Sequence, residues 1–230
     1  MHELVLILDF GSQYTQLIAR RIREEQVYCR IERSDLSATE IQSMGAKALV
    51  LSGGPSSIFE EQAPQVDPAI FELGIPILGV CYGLQIMAQH FKGNVIPGET
   101  REYGPMGIQF PTQSPLFEGV SEGSQVWMSH GDHVENIPEH FNIIARSSGD
   151  LIAGISHQSK PFYGVQFHPE VNHTVQGQTI ISNFLFKIAD FNRDWTSSSF
   201  VEDAIKEIQA TVGDGKGLLG LSGGVDSSVL

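Results

Sequence analysis

Short unbroken aliphatic runs alternate with stretches of amphipathic period through the first part of the chain, and each predicts a different element. Residues 4–8 are continuously apolar and too short for a helix, which predicts a strand buried on both faces. The segment Gly11-Ser12-Gln13-Tyr14-Thr15 is expected to open an amphipathic helix running to Ile22. A strand over 28–31, a helix from a Ser37 cap with Glu40 three positions on, and an apolar strand over 48–51 follow. A helix over 68–73, an apolar run ending at Val80 and a helix over 84–91 complete this part. Strands separated by helices imply a mainly parallel sheet covered on both faces.

The pattern changes after Gly93. Short alternating segments at 108–110, 126–128, 143–145, 151–155 and 163–167, punctuated by Gly, Pro and Ser, predict strands that extend the sheet in antiparallel fashion. Residues 175–189 read as a closing amphipathic helix. A polar stretch, Asp194-Trp195-Thr196-Ser197-Ser198-Ser199, precedes a helix over 200–212 and an apolar strand over 217–221. The expected fold class is α/β, a mainly parallel open sheet with helices on both faces and an antiparallel extension. The expected division is a first domain over 1–192, a linker over 193–199, and the start of a second domain over 200–230.

Composition narrows the function classes. The 27 acidic residues against 14 basic, a formal charge of -13, argue against nucleic acid or an anionic membrane as partner, because the summed field repels polyanions. No run reaches membrane-spanning length, and the start of the chain lacks a basic region followed by a long apolar stretch. Two cysteines, Cys29 and Cys81, make neither a disulfide framework nor a four-ligand zinc site, which fits a cytoplasmic setting.

The chemistry centres on Gly79-Val80-Cys81-Tyr82-Gly83. A strand that turns sharply into a helix holds the residue at its tip in a strained conformation, and glycines on either side remove the Cβ atoms that would obstruct the turn. Cys81 then lies at a helix N-terminus, where the macrodipole favours thiolate over thiol. The bland alternative is a small buried hydrophobe. Ser52-Gly53-Gly54-Pro55 forms a second loop after a strand, and the backbone N–H groups of Gly54 and Tyr82 are candidates for an oxyanion hole. His168-Pro169-Glu170 ends the strand over 163–167. Residues two apart in an extended segment point to the same side, so the carboxylate can hold the imidazole, although such a tripeptide also occurs as a plain surface turn. His130 and His133 have a two-residue spacing with no supporting ligands, so no metal site is expected there. Tyr103, Phe162 and Tyr163 are expected in packing roles.

The motifs Gly79-Val80-Cys81-Tyr82-Gly83-Leu84-Gln85, Ser52-Gly53-Gly54-Pro55 and His168-Pro169-Glu170, in that order, resemble the class I (triad) glutamine amidotransferase domains. The resemblance implies a flavodoxin-like sheet and hydrolysis of L-glutamine through a γ-glutamyl thioester on Cys81, with His168 as acid and base and Glu170 as its orienting partner. It puts glutamine recognition on Gln85, Ser129, Gly131 and Asp132, with Asp132 for the substrate ammonium. Residues 8–21 and 126–132 are similar to the glutamine-hydrolysing GMP synthases within that family, and Ser222-Gly223-Gly224-Val225-Asp226-Ser227-Ser228 resembles the pyrophosphate loop of ATP-pyrophosphatases. That implies no cofactor for the glutaminase step. For a full-length enzyme it implies ATP and Mg²⁺, XMP as a further substrate, a C-terminal synthetase domain and room for a homodimer. A chain stopping at Leu230 is expected to be a truncated piece of such an enzyme. The competing expectations are a catalytically idle interaction or regulatory module and another triad hydrolase such as a γ-glutamyl peptidase.

Overall fold

A computed structural model of the chain describes residues 2–213 and 215–216. The chain divides into two units, Met1–Asp194 and Trp195–Leu230. In the first, β1 (Leu4–Asp9), α1 (Thr15–Glu24), β2 (Tyr28–Arg33), α2 (Ala38–Ser43), β3 (Ala46–Leu51), β4 (Ile77–Val80) and α3 (Tyr82–His90) alternate as the hydrophobic pattern predicts. Then come β5 (Asn94–Gln109), β6 (Gln125–Asn136), β7 (Phe141–Ser147), β8 (Ile152–His157), β9 (Phe162–Val165) and α4 (Gly177–Asn183). Among the described residues the strands form one nine-stranded sheet in the order β2-β1-β3-β4-β9-β8-β7-β5-β6.

Burial alternates along β1. Val5 and Ile7 join a core with Ile18 and Ile22 of α1 and Ile180 and Ile181 of α4, whereas Leu4, Leu6 and Leu8 join one with Ile41 of α2 and Leu84 and Met87 of α3. Both faces of the parallel strands are therefore covered, which is why β1 reads as an unbroken apolar run. The Ser37 cap is a full capping box: Ser37 Oγ accepts from the Glu40 N–H, and Glu40 Oε2 accepts from the Ser37 N–H at 2.8 Å.

Several expectations are corrected. The strand expected at 163–167 is not simply part of the antiparallel extension: β9 pairs parallel with β4 and antiparallel with β8, so it is the hinge of the mixed sheet. The helix expected from Gly11 begins at Thr15. Gly11 has a φ of 86°, Asp9 Oδ1 accepts from the Gly11 N–H at 2.9 Å, and Ser12 Oγ accepts from the Tyr14 N–H at 3.0 Å, so residues 11–14 form side-chain-bonded turns instead. The closing helix starts at Gly177 and passes into a π-helical turn over Phe184–Ile188, and the helix expected at 68–73 is a 3₁₀ turn, Pro68–Glu72. The long strand β5 was hidden by Pro97, Gly98, Gly104 and Pro105; it pairs along most of its length with β6, with a register shift between Pro97 and Glu102.

In the second unit the described element is α5, Ser197–Val212, which begins three residues before the helix expected at 200–212. The strand expected at 217–221 lies outside the described residues, as does the Ser222–Ser228 loop.

Candidate active site

Register brings the cysteine and histidine together. Val80 of β4 pairs with Val165 of β9, and the Cys81 N–H donates to the Val165 carbonyl at 2.8 Å. Cys81 follows β4 by one residue and His168 follows β9 by three, so both emerge at the carboxyl edge of adjacent parallel strands. Open α/β sheets bind ligands at this edge.

Cys81 itself has φ 51° and ψ -102°, a strained backbone for a residue with a side chain, at the N-cap of α3. The flanking glycines make the turn possible. A Cβ on Gly79 would lie 2.7 Å from the Gly83 carbonyl oxygen, and one on Gly83 would lie 2.3 Å from the Leu51 carbonyl oxygen of β3. Tyr82 is the first residue of α3, so its backbone N–H has no partner within the helix.

Cys81 and His168 are each 4% exposed and Glu170 is 1% exposed. The Nδ1 of His168 lies 2.7 Å from Glu170 Oε1. A carboxylate accepts, so Nδ1 carries the proton and Nε2 is left for the thiol. Burial pushes the His168 pKa down, but the Glu170 charge and the hydrogen bond and charge of Cys81 outweigh it, and the imidazole is held well above its ordinary value. The His-Pro-Glu turn is braced on several sides. Thr174 Oγ1 donates to the His168 carbonyl at 2.6 Å, the His168 N–H donates to the Trp127 carbonyl at 3.1 Å, and Arg21 Nε donates to the Glu170 carbonyl at 3.0 Å.

The sulfur opens onto a cleft of about 560 Å³ lined by Gly54, Tyr82, Gln85, Ser129, Gly131 and Asp132 together with Cys81 and His168. Every residue expected for oxyanion and glutamine contacts therefore borders one space. Gln85 Nε2 donates to the Asp132 carbonyl at 2.8 Å, and Ser57 Oγ donates to the Asp132 carboxylate at 2.5 Å, fixing that side chain from the loop after β3.

Other contributors carried no local sequence signal. Tyr14 lines the cleft and meets the His168 ring edge-on at 5.1 Å between centroids. Tyr103, expected in a packing role, is 61% exposed and borders the cleft, whereas Phe162 is buried core. Tyr103 is displayed because β5 runs on as a strand through its Pro- and Gly-rich part. His130 also lines the cleft; its Nδ1 donates to the Asp132 carbonyl at 3.1 Å, and burial brings its pKa down to about 4, so it is neutral near pH 7. Among the described residues no cluster of three or more His, Cys, Asp or Glu side chains could hold a metal ion, and no helix is long and apolar enough to cross a membrane.

Residues 6–188 match the family described as Glutamine amidotransferase class-I. Among curated proteins, the chain is 52% identical over 228 residues to GMP synthase [glutamine-hydrolyzing] of Caldicellulosiruptor saccharolyticus, covering 99% of this chain and 45% of that protein. It is 50% identical over 227 residues to the GMP synthase [glutamine-hydrolyzing] of Clostridium novyi, covering 99% of this chain and 44% of that one. The chain thus spans less than half the length of these relatives. Among solved structures, a putative GMP synthase protein from Thermoplasma acidophilum superposes with a TM-score of 0.74 at 31% identity, covering 89% of this chain and 98% of that one.

Proposed function

Because the chain belongs to the class I glutamine amidotransferases, we propose that its cleft hydrolyses the side-chain amide of L-glutamine, with Cys81 as nucleophile, His168 as acid and base, and Glu170 orienting the imidazole. The observation that carries this reading is the buried 2.7 Å His168–Glu170 pair beside a cysteine held at a strained strand-to-helix turn.

His168 Nε2 takes the thiol proton, and the Cys81 sulfur attacks the amide carbon. The negative charge that develops on the amide oxygen is held by the backbone N–H groups of Gly54 and Tyr82; loss of one such donor typically costs about 3–4 kcal/mol of transition-state stabilisation. His168 returns the proton to the leaving nitrogen, ammonia departs, and a γ-glutamyl thioester remains on Cys81. Water then attacks the thioester with His168 as base, the carbon–sulfur bond breaks, and glutamate leaves. Asp132, held by Ser57, faces the substrate ammonium, while Gln85 and the backbone at Ser129 and Gly131 define the carboxylate end.

We further propose that in the cytoplasm the ammonia made here aminates adenylated XMP to give GMP. The identity to glutamine-hydrolysing GMP synthases supports that assignment. ATP, Mg²⁺ and XMP would be handled by a synthetase portion matching the remainder of those relatives, with Ser222–Ser228 at its start. The test of the glutaminase step is glutamate release from L-glutamine. Release is expected to vanish with Cys81→Ala and to fall about a thousandfold with His168→Ala; release that survives Cys81→Ala contradicts the assignment.

A further inference from the structure

Gln166 lies just beyond the end of β9, two residues before His168, and is 1% exposed. Its backbone N–H donates to the Ala153 carbonyl at 2.9 Å, which ties the position into the sheet without help from the side chain. The side-chain Nε2 points at the Cys81 sulfur, 3.6 Å away, and the other end of the amide, Oε1, is buried with no hydrogen-bond partner. An unpaired buried amide oxygen is costly, and an apolar side chain of the same length would fill this space without that cost. The only hydrogen bond that the side-chain amide makes among the described residues is the one to the sulfur.

Besides His168, the sulfur has two polar neighbours of opposite character. The Ser129 carbonyl oxygen, 3.8 Å away, can only accept and therefore suits the protonated thiol. The Gln166 amide N–H can only donate and therefore suits the thiolate. We propose that Gln166 is a positioning residue of the glutaminase reaction, whose amide N–H holds the Cys81 sulfur in its thiolate form and aims it at the substrate carbon. This inference rests on the reading of Cys81 as the nucleophile.

Once the thiol proton has passed to His168 Nε2, the contact with the Ser129 carbonyl turns repulsive and that with Gln166 becomes charge-assisted. On attack the sulfur electron pair enters the new S–C bond and the contact weakens. It re-forms when water displaces the sulfur from the thioester and the electron pair returns. Gln166 therefore stabilises the attacking thiolate in the first step and the leaving thiolate in the second.

The test is the rate of Cys81 alkylation by iodoacetamide against pH, in the full 230-residue chain and in Gln166→Met and Gln166→Glu. The titratable groups that border the cleft or pair with its histidine are His168 and Glu170 after β9, His130 and Asp132 on β6, Tyr103 on β5, Tyr82 on α3, Tyr14 before α1 and Glu60 in the loop after β3. All are common to the wild type and the Met variant, so that comparison isolates the amide, whereas Glu adds a carboxyl group of its own beside the sulfur. The Met variant is expected to move the alkylation midpoint up by about one pH unit, equivalent to about tenfold less thiolate at any pH well below the midpoint, and the Glu variant further. Turnover of glutamine is expected to fall about tenfold in kcat with KM within about twofold. An unchanged midpoint in Gln166→Met overturns the proposal, and Gln166→Leu, which likewise removes the N–H and adds no charge, decides it where Met fails to fold. Alkylation needs no glutamine turnover. A shift in the variants with no glutamine hydrolysis by the wild-type chain sinks the glutaminase reading; hydrolysis with no shift sinks this inference alone.

Discussion

At the residue scale, one cleft contains carboxylates and imidazoles with opposite tasks, and their surroundings separate them. Asp132 sits in the cleft wall, fixed by the Ser57 hydroxyl, where a substrate ammonium would meet it. Asp132→Asn is expected to raise KM for glutamine about tenfold or more with kcat little changed, and Ser57→Ala about threefold, because the hydroxyl orients the carboxylate without supplying its charge. Steady-state kinetics on both variants check this, and a loss confined to kcat would contradict it. His130 is the counterpart of His168. Burial brings its pKa from 6.5 to about 4, so the folded protein binds fewer protons than the unfolded chain between those values. That contribution to stability is complete above the unfolded value and is lost as pH falls towards about 4, amounting to about 3 kcal/mol. His168, whose pKa is raised, acts in the opposite sense: its contribution is complete below its unfolded value and is lost as pH rises through the folded one. His130→Gln is therefore compared with the wild type by chemical denaturation at about pH 7 and about pH 4.5. The variant is expected to lose less stability on acidification, and equal losses would refute the assignment.

At the element scale, the strand-to-helix turn between β4 and α3 depends on glycines because β3, β4 and α3 approach within backbone contact. Gly83→Ala is expected to cost about 3 kcal/mol, since its Cβ would meet the Leu51 carbonyl and neither backbone can yield. Gly131→Ala meets nothing within 4 Å, so its unfolding midpoint should match that of the wild type and any effect should fall on glutamine binding. Denaturation of the two variants side by side checks the contrast, and equal stability would contradict it. The same turn was legible in the sequence because its signal is local: two glycines around a cysteine, an apolar run before it and a helix after it. The role of Gln166 was not legible. It depends on β9 lying parallel beside β4, and a short apolar strand after a string of antiparallel ones carries no mark of which neighbour it will choose. Tyr14 was not singled out, because the sequence placed it in a helix, whereas Asp9 and Ser12 divert the backbone at 11–14 into turns before the helical period begins.

At the scale of the whole molecule, the parallel strands in the order β2-β1-β3-β4-β9 deliver the loops after β1, β3, β4 and β9 to one edge, and the cleft residues come from those loops, from the start of α3, and from β5 and β6. The alternation of strand and helix foretold the parallel half of the sheet, since burial on both faces leaves continuous apolar runs. The β5–β6 pair was only partly foretold, because backbone pairing held it through Pro and Gly positions that argue against a strand. The proposed function turns on Cys81, and the most direct measurement treats the full chain with a diazoketone analogue of L-glutamine and locates the adduct by peptide mass spectrometry. The expected result is a single adduct on Cys81, blocked by L-glutamine and lost in His168→Ala, with Cys29 unmodified because it is buried and its pKa is pushed up to about 11. Labelling of Cys29 in place of Cys81, or labelling of Cys81 that ignores both L-glutamine and the loss of His168, would contradict the account.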